Sequence, residues 1–328
     1  MPSSLKPILI TIGDPNGIGP EICLKLMVAL PKTKHPVVLV GDVAVLEECR
    51  KMLAEHNSKF KKTSNPVPIL AESAEFKGKI QPGRVSKNAG AASIAWVKLA
   101  AECVLSGQAA AVVTAPICKE AVEKTIPHFQ GHTEFIGEMC GDPEPVLALV
   151  HGNWVVAHVS THCSLKNAID KATTERIVKV GKLLNNFLKK LGLKAPKIGV
   201  AGINPHAGEN GLFGTEEKNA IIPAVKKLRS QKINATGPLP ADVVFPQLGS
   251  GVYDGVIAMY HDQGHIVTKT LAFNLGKNRK VGGVNTTLGL PILRTSVDHG
   301  VGFDIAWQGK ADPTSLLDAL LLADKLAT

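Results

Sequence analysis

Residues 253–269 read YDGVIAMYHDQGHIVTK. Val256 to Met259 is a short apolar run with the character of a buried strand. From Tyr260 the pattern changes to His261-Asp262-Gln263-Gly264-His265, a polar turn. A strand that ends this way delivers an imidazole and a carboxylate to the rim of a sheet, where open α/β folds bind their ligands. A polar loop with His261 hydrogen-bonded locally fits the stretch equally well, so the surrounding chain has to decide.

Outward from this stretch the same layout recurs. Pro7 to Ile12 reads as a buried strand feeding Gly13-Asp14-Pro15-Asn16-Gly17-Ile18-Gly19-Pro20-Glu21, and Pro20 suits the first turn of a helix to about Leu30. Val37 to Val40 is a strand, with Asp42 as the cap of a helix from Val43 to Leu53. Ser86 caps an Ala-rich helix to about Leu105, and Ala110 to Thr114 is the next strand. Strands follow at Val146–Val150, Trp154–Val159 and Lys197–Ala201, with an amphipathic helix from Thr173 to Leu191. Thr215, with Glu216 and Glu217 behind it, opens a helix to about Leu228, and the last helix runs from about Pro313 to Leu326. Strands alternating with helices predict an α/β architecture with a largely parallel sheet. The turn at Gly13–Glu21 could present backbone N–H groups to a phosphate or dinucleotide. Its spacing is not GxGxxG, and a tight turn that needs glycine is a serious rival reading.

Composition narrows the partners. Of 328 residues, 45% are hydrophobic and 20% charged, an ordinary globular balance with room for two cores. Lys+Arg number 37 against 28 Asp+Glu, a formal charge of +9. That charge suits nucleic acid, an anionic surface or a small anionic ligand. Aromatics at 4% and the absence of any long basic run argue against nucleic acid; Lys61-Lys62 and the cluster Lys277 to Lys280 read as solvated loops. The six cysteines (Cys23, Cys49, Cys103, Cys118, Cys140, Cys163) form no CxxC pair, which favours reduced thiols. With no signal-peptide pattern at the N-terminus and no stretch long enough to span a bilayer, a soluble cytoplasmic protein without a membrane partner is expected.

Three constellations can carry chemistry. His162, His206 and His261 each sit just past an apolar strand, and imidazoles in that context can hold a divalent ion with positions left open. His132, His265 and His299 are further candidates, and spacing alone does not choose among the six. The second constellation is basic and polar: Lys269, Asn285 and Arg294, with His132-Thr133 upstream. Arg294 follows the apolar run Leu288 to Leu293, so it is expected to leave a strand end toward a ligand, holding phosphate or carboxylate bidentately; pairing with Asp298 is the competing role. The third is His299-Gly300-x-Gly302-x-Asp304, a glycine turn followed by a carboxylate that could bond ribose hydroxyls and exclude a 2′-phosphate. Hydrolase readings are weak: there is no GxSxG elbow, and His162 and Cys163 are adjacent residues that point apart.

Taken together, GDPNGIGPE (13–21), GHTEF (131–135), NPHAGE (204–209), GPLPAD (237–242), MYHDQG (259–264) and LGLPILRTSVDHG (288–300) resemble the 4-hydroxythreonine-4-phosphate dehydrogenase family of pyridoxal phosphate biosynthesis. The resemblance covers nearly the whole chain. It implies an NAD-dependent enzyme that oxidises a 3-hydroxyl on a phosphorylated small-molecule substrate and then loses CO2. It also implies a homodimer with shared active sites. On the matching motifs His162, His206 and His261 are the metal ligands, one of the three coming from the partner subunit, for zinc in the first place or Mg, Mn or Co. His132, Thr133, Lys269, Asn285 and Arg294 match substrate contacts, and Lys269 and Asp242 take the catalytic positions. GDPNGIGPE and HGVGFDIAWQGKADP are also similar to the nucleotide loops of isopropylmalate and isocitrate dehydrogenases. That likeness gives Gly13, Asp14, Gly17, Gly19, His299, Gly300 and Asp304 the NAD, with Asp304 on the ribose. It implies two α/β domains with a cleft between them: residues 1–125 with 281–328 on the nucleotide side, and 126–280 carrying the metal ligands and dimer interface.

The chain departs from the biosynthetic pattern at Cys163-Ser164 and at His265-Ile266, where an apolar residue with Pro and Leu-Pro are usual. These details resemble the paralogous branch acting on 4-phospho-D-threonate or 4-phospho-D-erythronate. The segment Phe273 to Gly283 is longer than expected in either branch. A catalytically silent phospho-ligand-binding protein on the same scaffold would be expected to lose a histidine or the HG…D turn, and neither is missing.

Overall fold

The computed structural model describes residues 5–60, 69–70, 75–141, 144–274 and 283–327. Lys61-Lys62, the cluster Lys277 to Lys280 and most of the long segment Phe273 to Gly283 lie outside the described residues. The chain divides into two compact units, residues 1–143 with 290–328, and residues 144–289. Both cuts fall later in the chain than the boundaries read from the sequence.

The first unit contains β1 (Ile8–Thr11), α1 (Gly19–Val28), β2 (Val37–Val40), α2 (Val43–His56), β3 (Ile69–Leu70), α3 (Lys87–Leu105), β4 (Ala111–Thr114), α4 (Lys119–Glu123) and α5 (His132–Met139). The second contains β5 (Val146–His151), β6 (Trp154–His158), α6 (Leu165–Lys171), α7 (Thr174–Lys190), β7 (Lys197–Ala201), α8 (Ile222–Ser230), β8 (Asn234–Leu239), α9 (Ala241–Gly249), β9 (Gly255–Ala258), α10 (His261–Asn274) and β10 (Val284–Leu288). The chain then returns to the first unit as β11 (Arg294–Val297) and α11 (Thr314–Leu326).

Strands of the first unit run β3-β2-β1-β4-β11, all parallel. Every residue of β1 and β4 is buried, which is why ILIT and AVVT are continuous apolar runs rather than alternating ones. The predicted helix starts hold: the Asp42 carboxylate accepts from Ala44 N at 2.6 Å, and Ser86 Oγ caps α3 through Ala89 N. The Ala-rich face of α3 carries Trp96, 1% exposed, into the core.

In the second unit the order is β10-β5-β6-β9-β7-β8. β6, β9, β7 and β8 are parallel neighbours, whereas β5 is antiparallel to both β10 and β6. The parallel expectation therefore holds for the first unit and for part of the second. The tight Gly152-Asn153 connection makes β5 and β6 a hairpin, which cannot be parallel. α7 starts where expected, with Thr173 Oγ1 accepting from Arg176 N. It buries Ile177, Val180, Leu184 and Leu188 along one stripe.

Candidate functional site

Two groups of polar residues stand out, one in each unit. In the second unit the parallel strands β7 and β9 end at the same level, and the residues just beyond them do the work. The structure corrects one expectation here: His261-Asp262-Gln263-Gly264 is no loop but the first turn of α10. Asp262 in that turn suits the positive helix N-terminus. Gln263, 9% exposed, is the residue that ties the turn down. Its Oε1 accepts from Met259 N at 2.7 Å and its Nε2 donates to Gly202 O at 2.8 Å, joining the ends of β9 and β7. Gly264 is glycine because any Cβ would strike the His158 ring.

Beyond β7 the chain makes a left-handed turn. His206, Ala207, Gly208, Glu209 and Asn210 have φ of 52°, 52°, 80°, 40° and 55°. Left-handed backbone costs about 1–2 kcal/mol per non-glycine residue, so something must hold the turn in place. The Glu217 carboxylate does, buried at 3% exposure and accepting from Ile203 N and Asn204 N at 2.8 Å each. Residues 202–206, leading into the turn, line a cavity of ≈ 410 Å³ together with Asp242, Tyr260 and Gln263, and His206 stands in its wall. Asp242 lies in the first turn of α9 and is exposed.

His162 and His261 come together, with ring centroids 5.8 Å apart, while His206 packs by Phe213 at 6.2 Å. Among the described residues of one chain, no three His, Cys, Asp or Glu side chains form a group able to hold a metal ion. The donor chemistry nevertheless fits a divalent ion. His261 Nδ1 lies 2.7 Å from Asp262 Oδ1, an acceptor only, so a proton sits on Nδ1 and Nε2 is the ring nitrogen left for a ligand. Two further imidazoles back this one. His265 is stacked on His261 at 3.7 Å and 10°, and His158 lies 4.8 Å from His265. Burial pulls His265 down to about 4 and His158 to about 3, so both are neutral at neutral pH. Lys269, near His265, is exposed, and Asn285 is half-buried in β10.

In the first unit Arg294 is placed otherwise than expected. It opens β11 rather than following a strand, and it is 3% exposed. Its Nη2 donates to Thr114 Oγ1 at 2.8 Å and its Nη1 to Thr133 Oγ1 at 3.3 Å. Burial lowers its pKa to about 10, opposed by the Glu134 carboxylate, which leaves it charged at neutral pH. His132, Thr133 and Glu134 form the first turn of α5. His132 Nε2 is enclosed with no hydrogen-bond partner among the described residues. Desolvation, then Arg294 and Lys119, hold this imidazole well below its ordinary pKa.

The residues expected to hold the nucleotide also lie within the first unit. Ile18 N donates to Val301 O at 2.9 Å, and Trp307 Nε1 to Pro15 O at 3.0 Å, so the loop 13–19 meets the turn 299–304. Gly17 and Gly19 are glycines for closeness: a Cβ would strike Val301 O at the first and Ile12 O at the second. Asp14 is fully buried, accepts from Asn16 N at 2.8 Å, and leaves Oδ2 without a partner among the described residues. Its carboxyl is pushed up to about 6 by burial. Gly300 has open space on its Cβ side, and Asp304 is exposed.

The sequence matches the family described as pyridoxal phosphate biosynthetic protein PdxA over residues 32–323. The chain belongs to the PdxA family. It is 38% identical to the D-threonate 4-phosphate dehydrogenase of Pectobacterium atrosepticum, over 98% of this chain and 99% of that one. It is 37% identical to a 4-hydroxythreonine-4-phosphate dehydrogenase of Bradyrhizobium diazoefficiens, over 98% and 97%. The crystal structure of 4-hydroxythreonine-4-phosphate dehydrogenase from Klebsiella pneumoniae superposes with a TM-score of 0.81 at 37% identity, covering 98% of this chain and all of that one (100%). The PdxA relatives are dehydrogenases, and this chain shares their α/β fold over its full length. Gln263, Thr114, Tyr260, His158 and Glu217 were missed by the sequence reading. Thr114 and His158 at strand ends carried a signal comparable to that of His162, whereas Gln263 and Glu217 act through backbone partners that spacing does not reveal.

Proposed function

We propose that this PdxA-family protein oxidises the 3-hydroxyl of a 4-phosphorylated 3-hydroxy acid with NAD, the resulting β-keto acid then losing CO2. The observation that carries the reading is a polar cluster of the first unit around Arg294 and the start of α5, which we read as an anion receptor. A buried guanidinium that keeps its charge, an enclosed imidazole nitrogen without a partner, and the N-terminus of α5 lie together, each favouring a phosphate or carboxylate.

A divalent ion held by His162, His206 and His261, with one ligand from the partner subunit of a homodimer, would polarise the C3 oxygen as a Lewis acid while NAD accepts the hydride. Zinc suits an imidazole donor set best, with Mg, Mn or Co as alternatives. Asp262 holds the Nδ1 edge of His261 and so leaves Nε2 for the ion. Arg294, His132 and Thr133 bind the anionic end of the substrate, and that remote binding energy positions the reacting carbon. Lys269 and Asn285 are the further substrate contacts. Asp242, in the wall of the cavity that His206 lines, and Lys269 are the candidates for proton transfer. Asp304 holds the ribose hydroxyls and turns away a 2′-phosphate.

Two substrates share this chemistry and differ at C2, which bears a hydroxyl in threonate and an ammonium in 4-hydroxythreonine. Cys163-Ser164 and His265-Ile266 favour the C2 hydroxyl, as in 4-phospho-D-threonate or 4-phospho-D-erythronate. NADH production is measured from 4-phospho-D-threonate, 4-phospho-D-erythronate and 4-hydroxythreonine 4-phosphate. Turnover of one of the first two with the higher kcat/KM is expected. Phosphoester binding with no NADH from any of the three would identify a silent binding protein and end the enzymatic reading.

A further inference from the structure

We propose that His265 is a positioning residue that sets the ring plane of His261, as the middle member of a row of imidazoles anchored in β6. The role rests on the reading of His261 as a metal ligand. Three observations carry it. The His261 and His265 rings lie face to face, 3.7 Å apart and 10° from parallel, a contact open to an i,i+4 pair on α10. His265 cannot turn freely, because its Nδ1 lies 3.0 Å from His261 O; a carbonyl only accepts, so Nδ1–H donates. Behind it stands His158, 0% exposed, whose Nδ1 points at Leu147 O at 3.3 Å and whose ring abuts Gly264. The line Leu147, His158, His265, His261 thus runs from the interior strand β5 to the half-exposed His261 ring.

Asp262 alone would not hold that ring. Its carboxylate is 71% exposed and fixes only the Nδ1 edge, leaving the ring free to tilt about the bond. The stack removes that freedom. Groups that orient a metal-bound imidazole typically change metal affinity by about ten- to a hundredfold when removed.

The test is Co2+ titration of the full chain, read by calorimetry and by the visible ligand-field absorption, with circular dichroism and Tm as the check on folding. His265→Leu removes the ring, and His265→Phe keeps a stackable ring without a nitrogen. His265→Leu is expected to bind Co2+ about ten- to a hundredfold more weakly with an altered absorption band, and His265→Phe to recover most of both. Should the leucine variant not fold, His265→Gln, which keeps a donor for His261 O but no ring, takes its place. Wild-type affinity and spectrum in the ringless variant would overturn the proposal. So would a folded His265→Phe as weak as the ringless variant, because His265 would then be a ligand. His261→Ala separates the two readings: unchanged Co2+ affinity there would remove His261 from the metal site, and the positioning role with it.

Discussion

Arg294 reaches Thr114 by running along the sheet. In register it pairs with Val112 at the start of β11, yet its Nη2 bonds the Thr114 hydroxyl, two residues further along β4. The two strands are parallel, so the side chain carries the guanidinium from the strand start to the carboxyl end, where ligands bind in such sheets. A residue buried among strands thereby places its charge at the rim.

Arg294→Lys loses the two-pronged donor set and the reach to Thr114. It is expected to raise KM or lower kcat/KM for the phosphorylated substrate about ten- to a hundredfold. Thr114→Val should act in the same direction but more weakly, since it removes the acceptor and keeps the charge. Unaltered kinetics with a lowered Tm in both variants would make the pair structural.

Asp14 predicts a pH dependence of stability. Burial raises its pKa from 3.8 to about 6 in the folded chain. Below pH 3.8 both states are protonated and nothing is lost. As pH rises to about 6 the unfolded chain ionises first, so folding loses on the order of 3 kcal/mol at most, and the deficit persists above. Asp14→Asn keeps the acceptor for Asn16 N and cannot ionise. Its Tm relative to the wild type should climb between pH 4 and 6.5 and level off beyond. A difference that stays flat with pH would show that Asp14 is not held protonated.

Much of the fold was legible because local and global signals agree. β1 and β4 are unbroken apolar runs bounded by turns, and Asp42, Ser86 and Thr173 announce helices with their own side chains. The losses have physical causes. β8 was missed because Gly237-Pro238 interrupts its pattern, and α10 because His-Asp-Gln-Gly has poor helix propensity and starts only with Gln263 bonded to a strand end 61 residues away. In the candidate site, residue type and strand-end position singled out the histidines and Arg294 as candidates. They could not show that Arg294 enters its strand rather than leaving it, because the register with β4 is a tertiary fact.

His206→Ala tests the metal assignment from the second unit. The left-handed turn is held by Glu217 rather than by the imidazole, so the fold should survive. Bound divalent metal and turnover should both be lost. Full metal occupancy in the variant, measured by elemental analysis, would remove His206 from the ligand set.

Asp304→Asn addresses the cofactor. Asp304 is exposed, and in the proposed ribose contact its carboxylate would repel a 2′-phosphate where an amide would not. The variant should narrow the ratio of kcat/KM for NAD over NADP while leaving KM for the phosphorylated substrate near the wild-type value. A wild-type enzyme that used both cofactors equally would end the ribose role of this residue.

Gln263 joins the two strand ends from which His206 and His261 project. Its amide is fully used, accepting from Met259 N and donating to Gly202 O. Gly202 itself lies against Ala207 and the Glu217 carboxylate, so the bond reaches the base of the left-handed turn. Gln263→Leu keeps the bulk and leaves one buried N–H and one buried C=O without this partner, at about 1–3 kcal/mol each when unsatisfied. Denaturant unfolding should therefore show a loss of about 2–4 kcal/mol, reduced where water enters from the adjoining cavity. Hydrogen exchange should quicken at residues 202–204 and at Met259 while β1 and β4 keep their protection. Turnover should fall further than stability explains, since both projecting histidines lose their common strut. Wild-type exchange at 202–204 in a folded Gln263→Leu would show that Glu217 alone holds the turn, leaving Gln263 with α10 only.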